Sequence, residues 1–286
     1  MLAYDVRGSG PGLVLLAGIG GTAADTWELL LADLAVEHTV VSIDLPGSGR
    51  SPLPVGPLRV GAVADEVAAT AREAGLTEFV IAGTSLGAAV AVATAARHPR
   101  PVRGLFTLCG FARPRTTLWL GLEMWASVLA RGDAELHAFL ASLSFSRAYL
   151  AAHTSQEARR LTARLAGSAP GVSQQIALAL GIDLRGDLAA VSAPTLVVAA
   201  TGDQLVAPEH SVELAEGIPG ARLAAVKGGH TATFEEPERT LELLTDFLRD
   251  LHRQPHHASS PADTGGRPPG AGSPRTVPAS PRPRER

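Results

Sequence analysis

The sequence predicts an α/β fold: a mostly parallel central sheet flanked by helices, with a helical lid inserted after the strand ending near Leu108. Three observations point there. Short, almost continuously apolar runs recur, the pattern of parallel strands buried on both faces. They alternate with stretches whose apolar residues repeat at helical spacing, which implies strand-helix-strand units. One connection, from Leu108 to Thr195, is far longer than a single crossover helix needs.

Taken in chain order, residues 13–17, 39–43, 79–82, 104–108 and 195–199 read as strands, and 222–226 as a further candidate. Helical patterns occupy 26–37, 60–74, 86–98, 208–216 and 238–251. The long connection, about residues 111–185, is helical in pattern and reads as the lid. The lid and its base hold Phe106, Phe111, Trp119, Trp125, Phe139, Phe145 and Tyr149, in a chain only 4% aromatic. Such rings either pack the lid's own core or roof an apolar pocket, and Trp119 and Trp125 are the candidates for substrate contact. The expected domain therefore spans 1–252, with its core in 1–110 and 186–252. Beyond it, residues 253–286 are rich in proline and arginine, with Val277 the one aliphatic side chain larger than alanine. Such a tail cannot bury enough surface to offset its ordering entropy, so it is expected to be disordered.

Charge and cysteine content narrow the function. With 286 residues and a formal net charge of -3, the chain is neither a default nucleic-acid binder nor a polybasic membrane-surface protein. Its single cysteine, Cys109, leaves no internal disulfide or cysteine-rich zinc site and fits a reducing compartment. The first residues lack the pattern of a signal peptide, and no apolar run reaches the roughly 20 residues that span a bilayer. A cytoplasmic protein acting on a small molecule is expected, with no nucleic-acid or membrane partner; oligomeric state is not legible.

In parallel sheets ligands bind at the carboxyl ends of the strands, so the residues there carry the chemistry. The strand at 79–82 runs into Gly83-Thr84-Ser85-Leu86-Gly87 and then a helix. This is a strand-turn-helix elbow, tight enough to want glycine on both sides, that lifts a serine hydroxyl above the sheet edge. A nucleophilic serine needs a base, and the base an orienting acid. Asp203 follows the strand at 195–199, and His230 follows 222–226 through Gly228-Gly229. The other eight histidines lie in helical context, at a helix end or in the tail. An oxyanion hole needs two backbone N–H groups, here those of Leu86, at the start of its helix, and Ile19, in the Gly18-Ile19-Gly20-Gly21 loop. That loop lacks both a G-x-G-x-x-G match and a Walker lysine, which counts against phosphate binding. No metal site or cofactor is implied. The acidic pairs Asp65-Glu66 and Glu235-Glu236 read as solvated helix faces.

With these motifs in place, the chain resembles the lidded, esterase-like and enol-lactonase-like branch of the α/β-hydrolase fold, over roughly residues 2–251. Besides the elbow, Asp44-Leu45-Pro46-Gly47-Ser48-Gly49-Arg50-Ser51 is similar to the family's D-x-x-G-x-G-x-S loop, and residues 229–238 are similar to its histidine loop and final helix. Two departures stand out. Position 17, where the family usually carries histidine, is alanine, which alters the packing that positions the oxyanion loop. The chain also starts at what should be the second strand, so the family's antiparallel edge strand is expected to be absent.

The resemblance implies acyl transfer to water through an acyl-enzyme on Ser85, with His230 as base then acid and Asp203 fixing its tautomer. Esters, lactones and thioesters of a small, apolar substrate are the expected targets. Serine at the elbow counts against the epoxide hydrolases and haloalkane dehalogenases of this fold, which carry aspartate there. A cofactor-free haloperoxidase, a carbon-carbon bond-cleaving enzyme and an idle binding module stay open. Arg113 and Arg115, just beyond the Leu108 strand end, are candidates to hold a substrate carboxylate, or else are solvated charges.

Overall fold

A computed structural model describes residues 1–129, 131, 133–165 and 169–253 of the chain. The tail expected at 253–286 lies, from residue 254 on, outside the described residues.

Among the described residues, seven strands form one sheet in the order β1-β3-β2-β4-β5-β6-β7. They are β1 (Tyr4–Arg7), β2 (Gly12–Leu16), β3 (Thr39–Ile43), β4 (Phe79–Thr84), β5 (Val102–Leu108), β6 (Thr195–Ala200) and β7 (Arg222–Val226). All pairs are parallel except β1 with β3, which is antiparallel with Tyr4 opposite Ile43. The expectation that the antiparallel edge strand is missing is therefore corrected. β1 escaped notice because an edge strand needs no buried run: Asp5, Val6 and Arg7 are all exposed.

The alternation of side chains across the sheet sorts its strands into two cores. Val14, Leu16 and Ile81 face one layer with Val63 and Val67 of α3 (Val60–Glu73) and Val90 of α4 (Leu86–Arg97). Leu13, Leu15 and Val80 face the other, with Leu30 and Leu34 of α2 (Glu28–Glu37) and Leu244, Phe247 and Leu248 of α12 (Pro237–Arg253). Thr240, Leu244, Phe247 and Leu248 recur at helical spacing, so one face of α12 is buried and the rest solvated. A short α1 (Ala23–Thr26) precedes α2, its Thr22 cap accepting from the Asp25 N–H.

Among the described residues, the chain between β5 and β6 forms five α-helices, α5 (Thr116–Leu129), α6 (Asp133–Ser144), α7 (Arg147–Ala152), α8 (Ser155–Leu165) and α9 (Val172–Leu180), and a 3₁₀ turn (Leu188–Ala190). They constitute the helical insertion that the long connection required. After β6, α10 (Glu209–Gly217) and the short α11 (Ala232–Glu235) complete the described elements. Among the described residues no helix is long and apolar enough to cross a membrane.

The D-x-x-G-x-G-x-S loop braces this scaffold. Asp44 accepts from the Ala23 and Arg50 N–H groups at 3.3 Å each, and the Ser51 hydroxyl donates to the Asp44 carbonyl at 2.7 Å while accepting from Ala3 N–H. Gly49 has φ +49°, and a Cβ there would sit 2.1 Å from the Asp44 carboxylate, so the loop closes only around glycine.

Two buried histidines predict acid sensitivity. Burial, then the neighbouring His252, lowers the pKa of His38; burial, then Arg115, lowers that of His210, whose Nδ1 donates to the Ala207 carbonyl and whose Nε2 accepts from Arg115 N–H. A folded pKa below the unfolded value means that the unfolded chain binds more protons. Stability is therefore expected to fall as pH drops below about 6.5, by at most about 1.4 kcal/mol per pH unit for each histidine. Asp44, whose pKa burial raises, acts in the opposite sense. Thermal midpoints at pH 7.5, 6.5 and 5.5 check this: a midpoint that does not fall across that range removes the two histidines from the acid response.

Candidate active site

Five strand ends build the site. β4 ends at Thr84, and Ser85 follows in the left-handed region, φ 54° and ψ −122°, immediately before α4. Such a conformation costs a non-glycine residue of order 1–3 kcal/mol and persists only where its surroundings dictate it. Here the surroundings are glycines. A Cβ at Gly83 would lie 2.3 Å from the Gly87 carbonyl oxygen, and one at Gly87 would lie 2.3 Å from that of Ala17. The strand and helix can therefore approach closely only without side chains at those positions. The resulting elbow brings the β2 end within reach: a Cβ at Gly18 would stand 3.0 Å from Ser85 Cβ.

Asp203 follows β6 and is fully enclosed at its side chain. Its Oδ1 accepts from the N–H groups of Leu205 and Val206, both at 2.8 Å, which fixes the carboxylate plane. Its Oδ2 meets His230 Nδ1 at 2.7 Å. His230 follows β7 and lines the same cavity as Ser85. No hydrogen bond joins Ser85 Oγ to His230 among the described residues, a looseness common where no substrate is bound.

Cys109, at the end of β5, adds a third group to this string. It too has positive φ, +52°, and is buried. Burial first, and then the neighbouring Asp203 carboxylate, pushes its thiol well above the usual range. Ligand atoms of Cys109, Asp203 and His230 lie within 4.8 Å of one another. A metal centre there would need a thiolate, whereas the thiol is held protonated and the carboxylate is engaged by the imidazole. The cluster is a hydrogen-bonded Asp203–His230 pair with a neutral thiol beside it.

The cavity beside Ser85 is small, about 70 Å³. Ile19, Trp125, Leu205 and Phe234 give it apolar walls, and among the described residues no acid, arginine or lysine lines it. Ile19 thus stands beside Ser85, while Leu86 contributes no side chain to the wall and begins α4, where N–H groups have no partner within the helix.

The remaining candidates from the sequence are dispersed. Trp125 is buried and lines the cavity, whereas Trp119 is 42% exposed and does not. Arg113 pairs with Glu213 at 3.3 Å, and the Arg115 N–H is tied to His210; neither side chain lines the cavity. Of the other rings, Phe106 packs beneath the sheet edge-on to Trp27, and Phe145 stacks on Tyr149 with centroids 4.6 Å apart.

Two residues that the sequence reading passed over prove central. Glu235 is no solvated helix face, which corrects that expectation. Its carboxylate accepts from Gly229 N–H at 3.0 Å, Thr231 Oγ at 3.0 Å and Ser146 N–H at 3.2 Å, tying the histidine loop to the end of α6. A Cβ at Gly229 would lie 2.4 Å from Ser146 N, so this contact too depends on glycine. The available signal was its place five residues after His230, inside the histidine-loop similarity. The second residue is Gln175, on α9, whose amide reaches the Gly18–Gly21 loop; no spacing in the sequence announces it.

A strained serine over a parallel sheet, an Asp-His pair beside it and a helical cover define a hydrolase-type α/β site. Residues 11–237 match the alpha/beta hydrolase fold family, and the chain belongs to it. It is 30% identical over 250 residues to a pyrrolizixenacetamide deacetylase of Xenorhabdus hominickii, covering 86% of this chain and 94% of that one. It is 31% identical over 273 residues to a pimeloyl-[acyl-carrier protein] methyl ester esterase of Stenotrophomonas maltophilia, covering 91% and 98%. Among solved structures it is similar to a thermophilic esterase from Thermogutta terrifontis, with TM-score 0.75, 26% identity and coverage of 88% and 94%.

Proposed function

We propose that the chain is a serine hydrolase that cleaves an ester, lactone or thioester of a small, uncharged substrate through an acyl-enzyme on Ser85. The observation that carries this reading is the fixed Asp203–His230 pair at 2.7 Å, facing the cavity into which the strained elbow delivers Ser85. The names of the relatives support it: a methyl ester esterase, a deacetylase and an esterase all hydrolyse acyl derivatives.

In this mechanism His230 Nε2 takes the Ser85 proton as Oγ attacks the substrate carbonyl. Asp203 keeps the ring's proton on Nδ1 and stabilises the imidazolium that forms. The N–H groups of Ile19 and Leu86 receive the developing oxyanion, aided by the amino end of α4. His230 returns its proton to the leaving group, and water then attacks the acyl-enzyme by the reverse route. The buried, neutral Cys109 thiol adjoins this pair. A cytoplasmic setting belongs to this reading, on the ground that Cys109 is buried and unpaired.

Residues 111–185 act as the lid, and Trp125 as its contact with the acyl group. The cavity wall mixes apolar side chains with hydroxyls and, among the described residues, carries no acid, arginine or lysine, so neutral acyl groups are preferred over carboxylates, with about 0.8 kcal/mol available per buried methylene. Specificity constants for p-nitrophenyl acetate, p-nitrophenyl butyrate and an anionic half-ester test this. The neutral esters are expected to be turned over and the half-ester disfavoured. Trp125→Ala should depress the butyrate value about tenfold more than the acetate value, on the scale of lost burial, and Trp119→Ala should leave both near the parent's. A preference for the anionic ester, or equal losses in both tryptophan variants, sinks the pocket assignment. Failure of all three esters to react, together with no labelling of Ser85 by a fluorophosphonate, sinks the hydrolase itself.

A further inference from the structure

We propose that Gln175 is the positioning residue of the oxyanion hole, so that the last helix of the lid holds a catalytic loop in register. The proposal rests on the reading of the Ile19 N–H as an oxyanion donor. It starts from the problem at position 17. Alanine there offers no polar group to brace the Gly18–Gly21 loop, and glycines at 18, 20 and 21 make that loop intrinsically permissive. A loop so free cannot present a donor to a transition state without something to hold it.

Gln175 supplies that hold from the far side of the chain. Its side chain is 1% exposed. Oε1 accepts from Gly20 N–H at 2.8 Å, while Nε2 donates to the Pro46 carbonyl at 2.8 Å and to Ser48 Oγ at 3.0 Å. All three contacts are buried, and they join segments more than 120 residues apart in sequence. Both amide hydrogens are thus committed, and the orientation of the amide is determined. With its plane fixed by Pro46 and Ser48, its oxygen can point only at Gly20.

The consequence falls on the neighbouring peptide. Gly20 N–H belongs to the Ile19–Gly20 peptide plane, and only the two soft torsions of Ile19 separate that plane from the one carrying Ile19 N–H. On the other side, Gly18 is wedged against Ser85. The Ile19 donor is therefore clamped between the nucleophile and Gln175. The clamp reaches into the lid because Gly171, at the start of α9, touches Gly47 so closely that a Cβ on either would lie about 2.5 Å from the other's Cα. Gly171 N–H also donates to the Gly47 carbonyl at 3.0 Å. α9 thus docks on the 46–48 loop as a rigid unit.

The test uses the full chain and three variants: Gln175→Met, which keeps length and apolar bulk; Gln175→Glu, which keeps an acceptor for Gly20 but loses the donor to Pro46; and Ser48→Ala, which removes one anchor of the amide. With p-nitrophenyl acetate, Gln175→Met is expected to lower kcat about tenfold to a hundredfold, below the 10²–10³ for deleting an oxyanion donor outright, with KM within about threefold. Inhibition by an aryl trifluoromethyl ketone, which forms a charged tetrahedral adduct on the serine, should weaken by the same factor. Inhibition by the matching methyl ketone should not change. Ser48→Ala should move kcat and trifluoroketone affinity in the same direction by a few-fold, with Gln175→Glu in between. Should Gln175→Met fail to fold, Ser48→Ala and Gln175→Glu decide the matter. Folded variants with kcat and trifluoroketone affinity within twofold of the parent overturn the proposal. A parent protein that binds the trifluoroketone no better than the methyl ketone overturns instead the reading of the loop as an oxyanion hole.

Discussion

Ser85→Ala and His230→Ala are each expected to lower kcat/KM by on the order of 10⁵–10⁶, and the double variant should be no worse than either. The reason is that the two act as one device: a serine without its base is a poor nucleophile, and a base without the serine has nothing to activate. What remains is the contribution of the oxyanion donors and of binding. Neither change should unfold the protein. Ser85 Oγ makes no hydrogen bond that holds the fold, and removing His230 leaves Asp203 anchored by Leu205 and Val206 at 2.8 Å each. His230→Ala does leave Oδ2 without its imidazole partner, so a small drop in thermal midpoint accompanies it and not Ser85→Ala. Measuring kcat/KM on the best neutral ester, with thermal midpoints alongside, checks both halves. Activity within tenfold of the parent in either variant would take that residue out of the chemistry.

Where the sequence spoke clearly, it did so through local physics. Strands buried on both faces must be nearly all apolar, so β2 to β6 stand out; β1, half in water, carries no such mark. Ser85, Asp203 and His230 could be found because each follows a strand end at a tight turn, a feature of neighbouring residues. Gln175 could not, because its partners lie 127 to 155 residues away and two of them are backbone groups that any residue type supplies; Glu235 was legible only through its place in the histidine loop beside Gly229 and Thr231, and its bond to Ser146 N–H, 89 residues away, was not. The arginines show the mirror image: Arg113 and Arg115 do lie beyond the strand end, but Glu213 of α10, remote in sequence, pairs the Arg113 side chain, His210 holds the Arg115 backbone N–H, and neither guanidinium lines the cavity. The two tryptophans of α5 were separable in principle. Six residues apart on a helix, they point about 120° from one another, so one faces the core and cavity while the other faces solvent.

Asp203→Asn is expected to cost on the order of 10⁴ in kcat with little change in structure, and the geometry says why. Asparagine is nearly the same shape as aspartate but has one acceptor oxygen and one donor nitrogen. At this site the choice between the two orientations is already made. Oδ1 faces two N–H groups, those of Leu205 and Val206, so the amide oxygen must go there; turning the amide over would set its NH₂ against two donors in a buried site. The NH₂ is then left facing His230 Nδ1, where the carboxylate oxygen stood at 2.7 Å. Nδ1 must become the acceptor, and the ring proton moves to Nε2. A ring protonated at Nε2 cannot take the proton of Ser85, so the base is lost although every heavy atom stays in place. The buried thiol of Cys109 also loses its anionic neighbour, and its pKa should fall back toward the value that burial alone sets. Two measurements separate this from simple destabilisation: the ¹⁵N shifts of His230, which report the tautomer, and kcat/KM above neutral pH, where external hydroxide begins to replace the missing base. An Asn variant with Nδ1 still protonated and activity within tenfold of the parent would mean that Asp203 does not set the tautomer.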